Sequence, residues 1–195
     1  MKNPFTVRNM PFIAILLAIE IVLQFIGNHI QLGPVSINLS LVPITLGAII
    51  FGPWVGLFLG IFNAIFVLLA PSTIIFYNIT VWGTIVTCLA KSSIAGFVGG
   101  LIYLLFNRWN NFVATIITSI SIPVINTGLF AIFALIFFRP ILEENMGTFS
   151  NIYQFLLIGM IGWNFIFELS FSVILTFPIY RLIVYYQKKR LVTSN

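Results

Sequence analysis

The feature that most constrains the fold is a mostly apolar run over residues 37–70, broken at Gly52 and Pro53. About 20 helical residues cross a hydrocarbon core of about 30 Å, so this run is too long for one crossing. Proline disfavours a helical conformation at the residue before it, which predicts a turn at Gly52-Pro53. Gly52, Gly56 and Gly60 recur every fourth residue and leave one helix face open to close approach by another helix. We therefore predict a packed helical hairpin.

The composition places the whole chain in a membrane. Of its 195 residues 60% are hydrophobic and 7% are charged, and a soluble domain of this size cannot bury so much apolar surface. The single cysteine, Cys88, rules out a disulfide framework within the chain and a cysteine-based metal site. We assign the net charge of +5 to the ends of the spans, where basic residues orient the chain and meet anionic lipid, and not to nucleic acid.

The hydropathy pattern predicts an all-α protein with six transmembrane helices that form one domain over residues 1–195. The basic, apolar N-terminus is interpreted as a retained first span, because it has no small-residue cleavage site and contains Glu20. Pro123 is expected to kink the fifth span, where neighbouring helices tolerate it. The predicted spans are 10–26, 37–51, 53–70, a fourth ending near 106, 112–138, and a sixth that begins near 153.

The distribution of basic residues predicts the orientation. Six spans put both termini on one side, where seven basic residues then lie, while Arg139 alone lies on the other side and Lys91 lies inside the membrane. We therefore predict cytoplasmic termini and place the loop at 27–35, the segment at 70–78 and the loop at 139–151 outside. The seven residues are Lys2, Arg8, Arg108, Arg181, Lys188, Lys189 and Arg190.

Enzymatic motifs are absent from the sequence. There is one histidine, His29, far from the one cysteine, and neither H-E-x-x-H nor G-x-S-x-G occurs. No lysine follows a glycine, so the chain has no phosphate-binding G-x-x-x-x-G-K-[ST] loop. We expect no catalytic residue, metal or cofactor.

The informative residues are polar ones inside apolar spans. Lys91 and Glu168 lie near the middle of the fourth and sixth spans, and a charge at the bilayer centre costs about 2.5–3.5 kcal/mol. Both are expected to face inward, either as a structural ion pair or as the lining of a substrate pocket. Glu20 faces either the bundle interior or a partner subunit.

Amides and indoles at similar depth indicate a polar cavity for a small organic molecule. Asn164 and Glu168 share a helix face beside Trp163, and Asn78 and Trp82 repeat this spacing. For each single asparagine, adhesion between helices is the alternative. Gln31 and Asn38 flank the return of the first loop into the membrane and could cap the cavity, while Asn63 and Asn126 need hydrogen-bond partners away from lipid.

Two stripes of small residues indicate helix contacts. Ala14 and Ala18 form an A-x-x-x-A pair on the first span, and Ser92, Gly96 and Gly100 form a stripe on the fourth. Internal packing accounts for the second stripe, whereas the first faces either the interior or a partner subunit.

Several motifs in their order along nearly the whole chain resemble the substrate-binding S component of an energy-coupling factor (ECF) vitamin transporter. They are A-x-x-x-A on the first helix, SINLSLVPITLGAIIFGPWVGLFLG, CLAKSSIAGFVGGLIY, VINTGLF, and GWNFIFELSFSVIL before a basic tail. The resemblance implies a multi-pass protein of the bacterial plasma membrane that captures a water-soluble vitamin from outside. It also implies docking through the first three helices, with Ala14 and Ala18 at the contact, onto a transmembrane coupling subunit driven by two ABC-type ATPases.

The resemblance further implies that an outer cavity sets the substrate. The wording of SINLSLVPITLGAII and VINTGLF is most similar to the pantothenate branch, which implies a compact molecule with hydroxyls, an amide and a carboxylate. The alternatives are riboflavin, folate or another micronutrient, and a membrane scaffold that transports nothing. By position, the candidate substrate-binding residues are Gln31, Asn38, Asn63, Tyr77, Asn78, Trp82, Lys91, Asn126, Trp163, Asn164 and Glu168.

Overall fold

The computed structural model describes residues 4–7, 9–30, 36–144, 147, 149–176, 178–182 and 184–185, and Gln31 lies outside them. Within these ranges the regular elements are all helical. A 3₁₀ turn at Pro71–Thr73 precedes α4, and a π-helix at Phe155–Gly162 joins α8 to α9. The α-helices are α1 Met10–His29, α2 Leu41–Phe51, α3 Pro53–Leu68, α4 Ile74–Tyr77, α5 Val81–Phe106, α6 Asn111–Phe137, α7 Arg139–Glu144, α8 Ile152–Gln154 and α9 Trp163–Ile174.

The predicted hairpin is confirmed. α2 ends at Phe51, and Gly52 has a φ of 97°, in the region that favours glycine. Pro53 then begins α3 at a position where its missing N–H costs nothing. A Cβ on Gly47 would meet Leu59, across the turn in the other helix, so α2 and α3 run antiparallel in contact.

Direct backbone contact joins α3 to α5. A Cβ on Gly56 would clash with the carbonyl oxygen of Gly96, and a Cβ on Gly60 would clash with that of Ser92. Gly100 meets Pro53 in the same way, so the two helices run antiparallel. The small-residue stripe on α5 is therefore an internal contact, as expected.

Side-chain caps start the next two long helices. The Thr80 hydroxyl accepts from the Gly83 N–H at 3.3 Å, and α5 begins at Val81. The side-chain oxygen Oδ1 of Asn110 accepts from the Phe112 N–H at 2.8 Å, and α6 begins at Asn111. α6 packs antiparallel to α5, because Gly83 meets Phe137 at one end and Gly99 meets Ile122 further along.

Pro123 lies inside α6 without ending it. Proline has no N–H, so the carbonyl of Ser119, four residues earlier, has no donor from its own helix. The Ser172 hydroxyl of α9 donates to that carbonyl at 2.5 Å. The proline therefore frees a carbonyl to which α9 bonds. In membranes, neighbouring helices commonly supply hydrogen bonds to backbone groups that a proline has freed.

The connection from α6 to α9 differs from the predicted loop at 139–151. It contains the helix α7, on which Arg139 pairs with Glu143 at 2.9 Å. Arginine and glutamate four residues apart stabilise a short exposed helix. The polar composition of this segment favoured a loop and hid that spacing.

Three apolar clusters form among the described residues. The first packs α1, α2, α3, α5 and α6 together around Ile44, Leu59 and Ile122. The second packs α4, α6, α7 and the π-helix around Phe138, Leu142 and Leu156. The third, smaller cluster contains Ile49, Tyr103, Ala114 and Ile179. Buried polar side chains beside the second cluster are the candidates for a site.

Among the described residues, four helical stretches are long and apolar enough to cross a membrane: α1, α5, α6 and the stretch Ile152–Leu182. α3 with the segment Pro71–Tyr77, bent by 75°, would make five. α2 has 11 residues, about 16 Å of helix, which is shorter than a hydrocarbon core. The multi-pass membrane architecture is therefore supported, and the count of six spans stays a prediction.

We predict that Gly60→Ala destabilises the bundle whereas Gly128→Ala does not. Both changes gain helix propensity, but a Cβ at position 60 meets backbone of α5 and a Cβ at position 128 meets open space. Gly60→Ala should lower the free energy of unfolding by about 1–3 kcal/mol, the usual cost of overpacking. Unfolding in mixed detergent micelles, followed by circular dichroism, measures both variants, and equal stability would contradict direct backbone packing.

Candidate functional site

Two adjoining cavities lie against the core around Phe138, Leu142 and Leu156. Each has a volume of about 40 Å³ and is open to solvent. The first is bounded by one face of α5 and by the segments before α2 and α4, where the Ser36 and Ser72 hydroxyls are 3.1 Å apart. The second is bounded by α6, the π-helix and α9. Four residues line both cavities: Ser36, Asn38, Lys91 and Phe130.

Lys91 lies where the two cavities meet. Its side chain comes from the middle of α5 and is 8% exposed. Nζ lies 5.2 Å from the centre of the Phe130 ring, in the geometry of a cation–π contact. Within the described part of the chain, no carboxylate oxygen lies within 4 Å of Lys91 Nζ, and the Glu168 carboxylate attracts this ammonium group from a greater distance.

Glu168 lines the second cavity from α9. Its Oε1 accepts from the Asn38 N–H at 2.9 Å, and its Oε2 accepts from the Thr127 hydroxyl at 3.5 Å. The ion pair with Lys91, one of the two expected arrangements, does not form in this structure. Glu168 instead ties α9 to the chain entering α2 and to α6.

Three asparagines also line the second cavity: Asn38, Asn126 and Asn164. Asn164 donates to the Met160 carbonyl at 3.4 Å. Among the described residues, Asn126 Oδ1 and Asn38 Nδ2 are buried without a hydrogen-bond partner. A buried amide atom without a partner is costly, so these atoms are available to a bound polar molecule or water.

Asn63 lies below the cavities and lines neither of them. Its Nδ2 donates to the Ser92 hydroxyl at 3.0 Å, and its Oδ1 contacts the Ser40 hydroxyl. The Asn63 side chain therefore has the hydrogen-bond partners away from lipid that the sequence analysis required, and they lie inside the bundle.

Four other candidate residues lie away from the cavities. The Tyr77 hydroxyl donates to the Leu68 carbonyl at 3.2 Å, and Asn78 is exposed. Trp82 and Trp163 are 79% and 63% exposed, so the expectation that indoles wall the cavity is wrong. Neighbouring helical residues point about 100° apart, and Asn164 takes the inward position that Trp163 then cannot share.

The aromatic walls are phenylalanines that the sequence analysis did not select. Phe76, Phe130 and Phe138 line the first cavity, and Phe165 lines the second. On α5, Thr84, Thr87 and Cys88 line the first cavity with Lys91. Cys88, Thr87 and Thr84 lie three, four and seven residues before Lys91, which puts them on its helix face, and this signal could have identified them.

The two alanines predicted at a partner contact lie on the outside of α1, where both Ala14 and Ala18 are exposed. Glu20 is fully buried on the opposite side of α1, with Ile13 and Leu16. The small-residue pair on α1 is therefore free to meet another surface, and Glu20 does not face outward.

The family model described as ECF transporter, substrate-specific component matches residues 8–180. The chain belongs to this family. Comparisons with curated proteins and with solved structures found no significant match. As an S component, the protein is the substrate-specific subunit of an ECF transporter and not an enzyme. S components are multi-pass membrane proteins that bind small-molecule substrates and dock with the ECF transporter module, so the scaffold alternative is set aside.

We predict that Trp82→Phe and Trp163→Phe leave substrate binding by this S component unchanged, because neither indole lines a cavity. Both tryptophans should instead be quenched by brominated lipid in nanodiscs, where exposed side chains of the bundle meet acyl chains or headgroups. Calorimetric titration and tryptophan fluorescence measure the two properties. Loss of binding in either variant, with the fold intact, would show that the substituted indole contributes to the site.

Proposed function

We propose that this S component captures a water-soluble vitamin in the two cavities around Lys91, with pantothenate as the first candidate. The observation that carries the proposal is the ammonium group of Lys91, which lines both cavities and has no carboxylate oxygen within 4 Å among the described residues. A charge at this depth is costly unless it is paired. The carboxylate of a substrate would supply the missing partner through a charge-assisted hydrogen bond.

The other polar groups suit a molecule with an amide and hydroxyls. Asn126 Oδ1 can accept a hydrogen bond and Asn38 Nδ2 can donate one, and both lack partners within the described chain. Glu168 already accepts from Asn38 and Thr127, and its remaining lone pairs can accept from a substrate hydroxyl. Repulsion between this carboxylate and a substrate carboxylate is smallest when the latter lies on the Lys91 side.

The apolar lining suits the branched aliphatic part of pantothenate. Phe130, Met160, Ile161 and Phe165 surround the second cavity, and specific sites combine such walls with a few directed polar groups. Riboflavin has no carboxylate and would leave Lys91 without a counter-ion, which places it behind pantothenate. Folate is larger and carries two carboxylates against one lysine.

The proposed topology has six passages through the bundle and cytoplasmic termini in a bacterial plasma membrane. It is supported by the antiparallel packing of α2 with α3, α3 with α5, α5 with α6 and α6 with α9. The proposed partners are a transmembrane coupling subunit and two ABC-type ATPases. The exposed Ala14 and Ala18 on α1 offer a close-packing surface for the coupling subunit.

We predict that Lys91→Met weakens pantothenate binding by about 30-fold or more, the usual effect of removing one partner of a buried charge pair. The affinity for panthenol, which carries a hydroxyl in place of the carboxylate, should change much less. Calorimetric titration of the purified protein in nanodiscs measures both ligands, and Arg108→Gln on an exposed turn is the control. Equal losses for the two ligands would show that Lys91 does not bind the carboxylate.

We also predict that substrate protects Cys88 from alkylation. Cys88 is the only cysteine in the chain, is buried, and lines the first cavity one helical turn from Lys91. A small maleimide should react slowly with the free protein and more slowly still with saturating pantothenate, as mass spectrometry would show. Denatured protein serves as the control for full reactivity, and unchanged labelling with bound substrate would remove the first cavity from the site.

A further inference from the structure

The Ser40 side chain, which lines neither cavity, joins three parts of the bundle. It precedes α2 and is fully buried. Its Oγ lies 2.9 Å from Gln24 Oε1 on α1, 2.5 Å from Asn38 Oδ1 and 2.5 Å from Asn63 Oδ1 on α3. The three amide side chains are each at most 7% exposed.

The contacts around Ser40 form a network and not a local helix bond. Many hydroxyls in the bundle bond to the carbonyl four residues earlier in their own helix, as Ser121 does with Ile117 at 2.7 Å. Ser40 instead bonds across elements. A hydroxyl has one proton, so Ser40 donates to one of the three amide oxygens at a time. Each such arrangement holds the same side chains together.

The network extends to Glu168 and to Ser92, the residue that follows Lys91. Asn63 Nδ2 donates to the hydroxyl of Ser92, the neighbour of Lys91 on α5. The Asn38 N–H donates to Glu168 on α9 at 2.9 Å. Asn38 is thus held on two sides: its backbone is bonded to α9, and its side chain is linked through Ser40 to α1 and α3.

We infer that Ser40 is a positioning residue for substrate capture, which acts by holding Asn38 in the conformation that lines both cavities. The inference rests on the proposed function, because Asn38 must contact the substrate for its position to matter. Preorganised groups bind more tightly because the cost of ordering them is met before the substrate arrives. Removal of the Ser40 hydroxyl frees the Asn38 side chain and therefore weakens binding.

A double-mutant cycle tests this role. The variants are Ser40→Ala, Asn38→Ala and the double variant, with Ser121→Ala as a matched hydroxyl deletion whose bond stays within its own helix. Calorimetric titration with pantothenate measures the affinities. Ser40→Ala should weaken binding by about tenfold, and in the Asn38→Ala background the same change should cost less than about twofold, because residues that act through one another are not additive. Ser121→Ala should bind like the wild type.

The outcomes separate the two proposals. Binding by the wild type with additive losses in the cycle, or with no loss in Ser40→Ala, overturns the role of Ser40 and leaves the proposed function intact. A wild type that binds no vitamin overturns the proposed function and this role with it. If another vitamin binds in place of pantothenate, the same cycle is measured with that ligand. Thermal unfolding of each variant without ligand shows whether a substitution destabilises the whole fold. General destabilisation would lower the affinity without the predicted coupling between Ser40 and Asn38.

Discussion

The arrangement of the whole bundle depends on the direct contact between the backbones of α3 and α5. Gly60 meets the carbonyl of Ser92, and Gly56 meets that of Gly96. A contact of this kind permits little sliding or rotation, because any side chain would force the helices apart. Since Lys91 immediately precedes Ser92, the contact also sets the depth and direction of the charge in the site. The ammonium group is held where its own helix is most firmly packed.

Polar groups in the interior are divided between those that hold the bundle together and those that remain open to a ligand. Asn63 and Ser40 are satisfied by neighbouring helices and act as a structural link. Among the described residues, Asn126 Oδ1 has no hydrogen-bond partner and Lys91 has no carboxylate oxygen within 4 Å, and both side chains line the second cavity. In a low-dielectric interior, polar groups with partners make the bundle more rigid. Polar groups without partners are costly, and this cost favours a ligand that can bond to them.

Much of the architecture, and the set of charged residues that face inward, was predictable from residue type and spacing. The turn at Gly52, the glycine stripe on α5 and the inward direction of Lys91 and Glu168 follow from backbone sterics and from the cost of burying charge in lipid. The direction of Trp163 was not predictable from depth alone, because an indole is stable both against a cavity and at a lipid surface. Ser40 carried no signal at all, since a single serine before a helix usually serves as a cap.

The sequence by itself determined a helical membrane bundle, its hairpin and the residues that cannot face lipid, because these depend on local conformational preference and on transfer free energy. Only the tertiary structure decided which inward polar groups satisfy one another and which remain open. That outcome depends on distances between helices that are far apart in sequence, such as Asn38 and Glu168 at 2.9 Å. Periodicity assigns a residue to a face of its own helix, but the packing of the helices decides which residue of another helix it contacts there.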